Sequence, residues 1–367
     1  MKFTVSSQSL KDTLAKVFGA IGNNPVLPIL EDFLFTLEGR ILSVTATDLE
    51  IFTTASLEVE QSPNSGIIAI PAKILLDTIK QLPPQPITLS VDSETYRVTI
   101  TSAFGEYHLA GEDGRDYPKT PEVEEGNSIA IDSATIDEII NKTLFATSND
   151  ELRPAMTGVC FDLNYEQSNF VATDAHKLSK FPLQLDVEQN DRFIVPKRAL
   201  NILKNTLSTN SISISWSNAN VVFDTGNQKI ISRLIDARYP DYNAVFPKSS
   251  PNIMHVNRAS VLKSLKRLAN YANKTTNQVA LSLSKDKLVI TAEDLDFNQK
   301  ASETQLCDYD GQDMTIGFNV KYLVEVLNAL GSERVAFGLS TPNRAGVVTE
   351  VDGSEAKMLV MPVMLPN

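Results

Sequence analysis

The chain has little of what most enzymes and exported proteins need: one Trp, two Cys, three His and no long apolar run in 367 residues. The longest strongly apolar stretch, 358–365, holds eight residues and is interrupted by Pro362, whereas a helix needs roughly 20 to span a bilayer. No membrane association is expected. The N-terminus has Lys2 but no unbroken apolar segment behind it, so it does not read as a secretory signal. A cytoplasmic location follows as an expectation. Cys160 and Cys307 make no disulfide framework and have no thiol or His neighbour at metal-ligand spacing. Both are expected in the core, and no metal is expected. There is no phosphate loop ending in Gly-Lys-Ser or Gly-Lys-Thr and no Gly-x-Ser-x-Gly elbow. The expectation is therefore no cofactor and no catalytic residue. Glycine and proline, 16 and 18, are too few for a disordered or collagenous chain.

What is present repeats. The length exceeds the usual size of one hydrophobic core, so two or three domains are expected. An amphipathic helical pattern occurs at 7–20, 132–145 and 257–273, with Leu10, Ile136 and Val261 separated by 126 and 125 positions. Ser9, Ser133 and Ser260 lie near the starts of these patterns. A second helical pattern occurs at 71–82, 196–207 and 319–330, at offsets of 125 and 123. Each copy has a basic residue two places in (Lys73, Arg198, Lys321) and Leu at the same two later positions. A strand-and-turn signature recurs as Val44-Thr-Ala-Thr-Asp48, Phe170-Val-Ala-Thr-Asp174 and Val289-Ile-Thr-Ala-Glu-Asp294. Between the helices, runs such as 96–100 and 211–216 alternate polar and apolar residues, the mark of antiparallel strands buried on one face. The reading is α+β: three similar domains, each with two helices packed on antiparallel sheets. Pro118, Pro121 and the acidic stretch after them close the first unit, and 247–251 closes the second. The predicted domains are 1–124, 125–250 and 251–367.

Charge divides along the same lines. The chain carries −12, yet the six helical segments hold thirteen Lys or Arg against six Asp or Glu, a net of +7, which leaves −19 for the rest. Glu forms helices as readily as Lys, so helix propensity does not explain the imbalance. A phosphate-facing helical surface inside an acidic protein does. His176 lies two residues from Asp174, a spacing that in isolation allows an acid–base pair and a hydrolase or nuclease reading. The repeat counterparts Asp48 and Asp294 have no His beside them, so the aspartate is assigned to the turn. His108 and His255 sit in no cluster.

The opening Met1-Lys-Phe-Thr-Val, Leu27-Pro-Ile-Leu30, Thr47-Asp-Leu-Glu50, Ala172-Thr-Asp-Ala-His-Lys-Leu178, Tyr239-Pro-Asp-Tyr242, Gly317-Phe-Asn-Val320 and the closing Met361-Pro-Val-Met-Leu365 together resemble the bacterial sliding-clamp family, the beta subunit of DNA polymerase III. The resemblance runs in order from end to end. It implies the DNA clamp fold, a head-to-tail homodimer closed into a six-domain ring around double-stranded DNA, and a processivity role with no catalytic activity. The partners it implies are DNA polymerase III, the clamp loader, other polymerases and repair proteins, all working at the nucleoid.

The resemblance also implies site residues. A partner-peptide cleft falls on Met156, Thr173, His176, Leu178, Pro240, Val245, Asn319, Tyr322, Leu359, Met361, Pro362, Val363 and Met364. Asn24, Lys73, Arg153, Lys197 and Arg198 face DNA. Subunits meet through Lys73, Ile74, Tyr107 and Leu109 on one side and Lys266, Asn270 and Tyr271 on the other. Ala175 stands where Gly is sometimes found, and Ala244 where some clamps carry Arg.

Overall fold

Helices form at the six places marked by the apolar spacing: α1 Ser7–Phe18, α2 Ala72–Gln81, α3 Ser133–Thr143, α4 Lys197–Lys204, α5 Arg258–Leu268 and α6 Val320–Ala329. The computed structural model describes residues 1–22, 25–123, 127–207 and 211–365, and no further α-helix occurs among them. In α1 the buried residues Leu10, Leu14 and Val17 recur on one stripe, as do Val261, Leu265 and Leu268 in α5. Ser9 and Ser260 are not the caps, since Ser6 precedes α1 and Asn257 precedes α5. Asn257 begins α5 by accepting the Ser260 N–H at 2.9 Å, and Asn319 begins α6 by accepting the Lys321 N–H at 2.9 Å. Each asparagine oxygen takes up an amide hydrogen that the first turn leaves free. Ser9 lies inside α1, where its carbonyl accepts from the Thr13 hydroxyl at 2.9 Å, and Ser133 is the first residue of α3.

The chain divides into two compact units, Met1–Asp137 with Arg198–Leu234 and Glu138–Lys197 with Ile235–Asn367. In the first unit a five-stranded antiparallel sheet runs in the order Gln61–Asn64, Lys2–Ser6, Pro86–Val91, Arg97–Ser102, Gly105–Ala110. A nine-stranded sheet carries Asp32–Glu38, Ile41–Thr47 and Ile51–Glu58 at its centre and continues into Gln228–Arg233, Asn220–Asp224, Ser211–Trp216 and Asn127–Asp132. The join is antiparallel, with Phe52 opposite Ile231 and Thr54 opposite Lys229. It links strands of the first and second sequence repeats. Unpaired strand edges expose backbone donors and acceptors, and pairing with the next repeat satisfies them. The compact units therefore cut the middle repeat, and the repeat boundary near 124 falls on residues outside those described.

The second unit repeats the plan. Its nine-stranded sheet runs Asp191–Pro196, Gly158–Leu163, Ser168–Thr173, Lys177–Leu183, Lys357–Val360, Gly346–Glu350, Arg334–Leu339, Asn252–Asn257, Asp308–Tyr309. The five-stranded sheet runs Gln299–Leu306, Lys287–Asp294, Gln278–Ser284, Met314–Asn319, Pro362–Val363. α5 and α6 pack on each other over a core that includes Met254, Leu265, Ile290, Phe318, Leu327 and Phe337. The C-terminal segment belongs to both sheets: 357–360 pairs with Lys177–Leu183 and 362–363 with Gly317 and Phe318.

Cys160 is fully buried, and burial pushes its thiol up to about 12. Cys307 departs from the expectation: it follows an edge strand and is only partly buried. No described helix is long and apolar enough to cross a membrane.

Candidate peptide cleft, DNA face and subunit edges

The cleft residues assigned from the sequence converge within the second unit on a turn that the repeat made recognisable. Thr173 Oγ1 accepts the Ala175 N–H at 3.1 Å, and Asp174 Oδ1 accepts the His176 and Lys177 N–H groups at 2.9 and 2.8 Å. Ala175 is thereby held at φ 75°, in the left-handed region. The turn presents His176 outward, and its ring stacks on Tyr322 of α6, centroids 5.6 Å apart and 14° from parallel. The His176 carbonyl accepts the Met361 N–H at 2.8 Å, which ties the turn to the C-terminal segment. Leu178 and Leu359, buried side by side on paired strands, form an apolar floor with Tyr239, Tyr242 and Ala345. Met361 and Val245 are 40% and 48% exposed and Met364 is 85% exposed, so apolar surface remains open to a ligand. Thr173 is buried, and Met156, Pro240, Pro362 and Val363 are half-buried. Asn319 is occupied as the α6 cap and also donates to the Thr276 carbonyl at 3.3 Å.

Two polar networks beneath this surface were not foreseen. Lys177 is buried, 2.5 Å from Asp174 and 3.1 Å from Glu325. Burial opposes its charge, but the two carboxylates prevail and raise its pKa. Its ammonium also lies 4.8 Å from the centre of the Tyr322 ring. Farther along, Asp162 Oδ2 accepts from the Tyr242 hydroxyl at 2.5 Å and Arg192 at 2.6 Å, while the Tyr239 hydroxyl donates to the Val171 carbonyl at 3.2 Å. These bonds pin the 239–242 segment. Motif spelling marked the tyrosines but not the residues that hold them, which lie about 70 to 80 positions away.

The basic helices are less free than their count implies. Arg198 pairs with Asp48 and donates to the Gly19 and Ile21 carbonyls at 2.9 and 3.0 Å, placing a cation at the C-terminal end of α1. Lys142 forms a buried ion pair with Glu350 at 2.8 Å, and Arg267 pairs with Glu303 at 2.5 Å. Arg258 donates to the Leu327 and Ser332 carbonyls at 3.0 and 2.9 Å. Lys73, Lys80, Lys263, Lys266 and Lys321 are exposed and form no ion pair among the described residues. Of the other residues assigned to DNA, Arg153 is exposed and pairs with Asp150 at 2.8 Å, and Lys197 donates to Asn149 at 3.1 Å. Asn24 lies outside the described residues.

Of the residues assigned to subunit contact, Tyr107 and Leu109 lie on a sheet edge, while Lys73 and Ile74 belong to α2. Lys73, Ile74 and Tyr107 line one groove of the first unit with Phe18, Asp32 and Glu112. Tyr107 and Leu109 alternate on Gly105–Ala110, the outer strand of the five-stranded sheet. Asp32 is 6% exposed; burial, with Glu112 and Glu31 nearby, raises its carboxyl to about 7. In the second unit Lys266 lies in α5, followed by exposed Asn270 and Tyr271, and Gln299–Leu306 is the outer strand of the other five-stranded sheet. Leu295, Phe297 and Leu306, 75%, 69% and 87% exposed, are apolar surface that the sequence reading passed over.

Three domain models of the DNA polymerase III beta subunit match in succession: the N-terminal domain at 1–121, the central domain at 130–241 and the C-terminal domain at 243–364. The chain belongs to the DNA polymerase III beta-subunit family. Curated relatives named beta sliding clamp include those of Pseudomonas aeruginosa, 28% identical over 369 residues, and Escherichia coli, 29% identical over 369 residues, each with full coverage of both chains. Solved structures agree: a P. aeruginosa clamp bound to griselimycin is similar at 28% identity and a TM-score of 0.94, and the Bacillus subtilis clamp at 25% and 0.93, again over both full chains.

The beta-subunit family is that of the sliding clamp, a non-catalytic processivity factor whose members bind DNA, form a homodimeric ring and bind polymerase and other proteins. Against that background the Asp174–His176 pair is no acid–base dyad. Asp174 accepts the backbone N–H of His176, and the imidazole stacks on Tyr322. Among the described residues no group of His, Cys, Asp and Glu is arranged to hold a metal ion.

Proposed function

We propose that two copies of this chain close head to tail into a six-domain ring, with repeat domains 1–124, 125–250 and 251–367 in each copy. The observation that carries the reading is the pair of free strand edges, Gly105–Ala110 and Gln299–Leu306, each the outermost strand of a five-stranded sheet. Exposed edges invite strand addition, and a heterologous contact that closes on itself covers both at once. Lys73, Ile74, Tyr107 and Leu109 of one copy then meet Lys266, Asn270 and Tyr271 of the next.

Within the ring, Asn24, Lys73, Arg153 and Lys197 face DNA phosphates, and Arg198 acts by holding α1 and the Asp48 turn in place. Contacts of exposed lysines to phosphate are weak and salt-screened, which suits a protein that must slide. The cleft built on Leu178, Leu359, Pro240 and Val245, with His176, Tyr322, Met361 and Met364 around it, takes short linear segments of polymerase, clamp loader and repair proteins. Met156, Thr173, Asn319, Pro362 and Val363 complete it. Methionine is flexible and polarizable and adapts to several ligands. The protein works in the cytoplasm, at the nucleoid.

The test is topological. A mass near twice 40.3 kDa is expected in solution. After loading, the protein should stay on nicked circular DNA and leave when that DNA is cut once. A persistent monomer, or release that ignores DNA ends, would overturn the reading.

A further inference from the structure

Lys180, Lys248 and Lys357 line one groove of about 450 Å³ in the second unit, together with Phe246, Ile253 and Val347. None of the three lysines has an ion-pair partner among the described residues, in a chain whose net charge is −12. Lys180 donates only to Asn243 Oδ1, at 3.1 Å, and lies over the Tyr242 ring, 5.4 Å from its centre.

The placement follows from strand register. On Lys177–Leu183 and Lys357–Val360 the cross-strand partners are Leu178 with Leu359 and, two residues on, Lys180 with Lys357. A shift of two residues keeps side chains on the same face of a sheet. The apolar pair under the cleft therefore continues along the same two strands into a basic pair. Outward from them the row runs through Thr349 and Ala336. Lys248 comes from the loop above, and Ile253, 50% exposed, leaves apolar surface beside the charges.

We propose that this groove extends the peptide cleft and receives an acidic stretch of the partner protein that flanks its apolar anchor. The proposal rests on the cleft reading above. Two like charges on facing strands repel, and an anion laid between them relieves that repulsion. The direction of the Lys180 pKa agrees: burial and then the Lys357 charge lower it, outweighing the opposing pull of the Asp162 carboxylate. A peptide is favoured over nucleic acid because the groove lies on the sheet face that carries Leu178 and Leu359. The opposite face carries Met358, Val360 and Phe337, packed in the core with α5 and α6.

The test uses the full chain and fluorescence anisotropy with four labelled probes: an apolar Leu/Phe pentapeptide flanked by three Glu at either end, the same peptide flanked by Ser, a deca-glutamate and an oligothymidylate. The Glu-flanked peptide should bind about 5-fold tighter than the Ser-flanked one, the sum of a few modest exposed ion pairs. The advantage should shrink with added salt and vanish in Lys180→Ser/Lys357→Ser, while the Ser-flanked peptide binds that variant as it binds the parent. Equal binding of both peptides, or an advantage that survives the variant, overturns the proposal. If no pentapeptide binds, the cleft reading fails on its own. Deca-glutamate then decides the groove: loss of its binding in the variant supports it, and no binding refutes it. Tighter binding of oligothymidylate than of deca-glutamate, lost in the variant, would reassign the groove to nucleic acid.

Discussion

The turns at Asp48 and Asp174 are built alike and used differently. In both, the preceding Thr accepts the N–H two residues on, and the aspartate Oδ1 accepts two more, at 3.1 and 2.8 Å in one and 2.9 and 2.8 Å in the other. Both force a non-glycine residue into the left-handed region, Leu49 at φ 79° and Ala175 at φ 75°. The second carboxylate oxygen is where they part. Asp48 uses it to bring Arg198 to the end of α1, whereas Asp174 uses it to hold a buried lysine beside Glu325 under the cleft. A repeated backbone device was kept, and the residues that follow it gave one copy the surface proposed as the peptide cleft.

The comparison can be broken by removing each aspartate. Asp174→Ala leaves Lys177 buried with one fewer carboxylate and frees two backbone donors, so a loss of about 3–5 kcal/mol is expected in urea unfolding. Asp48→Ala should cost about 1–2 kcal/mol, because the Arg198 side chain is 41% exposed and keeps two carbonyl partners. Equal losses would mean that the two turns carry equal loads.

Acid titration should separate the two units by sign. Glu350 is nearly fully buried against Lys142, and although burial opposes its charge, Lys142 and the Gly331 and Ser354 N–H groups lower its carboxyl to about 2. Its stabilisation, about 3 kcal/mol, is complete above the unfolded value near 4.5 and is lost as pH falls towards 2; Glu350→Gln should flatten that slope. Asp32 does the reverse. With its carboxyl raised to about 7, the folded state holds the proton longer than the unfolded one. Stability should fall between pH ~4 and ~7, by at most about 4 kcal/mol, and Asp32→Asn should abolish the decline. Calorimetric scans of parent and variants across pH 2–8 read both slopes.

Two smaller effects sharpen the contrast at the cleft. Met361→Ala/Met364→Ala should weaken an apolar partner peptide by about 2 kcal/mol, roughly 30-fold, with the solution mass unchanged. Unaltered affinity would place the peptide elsewhere. Ala175→Gly should gain about 0.5–1 kcal/mol by relieving the left-handed conformation. A loss in thermal unfolding would show that the turn is not strained there.

Most residues proposed for the cleft could be named before their geometry was known, because they fall in short motifs: the Asp174 turn, the 239–242 segment and the segment at 361–364. The charge argument was less complete. Thirteen basic residues in helical segments were countable, but Lys142, Arg198 and Arg267 are paired with Glu350, Asp48 and Glu303, from 36 to 208 positions away. Composition records charge and is silent on where its partner lies.

By itself the sequence determined six helices, alternating strands and three repeats, since periodicities of 2 and 3.6 residues and a period near 123 are properties of the chain read locally or against itself. Only the tertiary structure decided that strands of successive repeats share sheets, as Ile51–Glu58 does with Gln228–Arg233. It alone placed Lys180 and Lys357 beside the cleft floor. Pairing between distant strands is settled by satisfying backbone groups and burying one face, and neither leaves a periodic trace in the residues themselves.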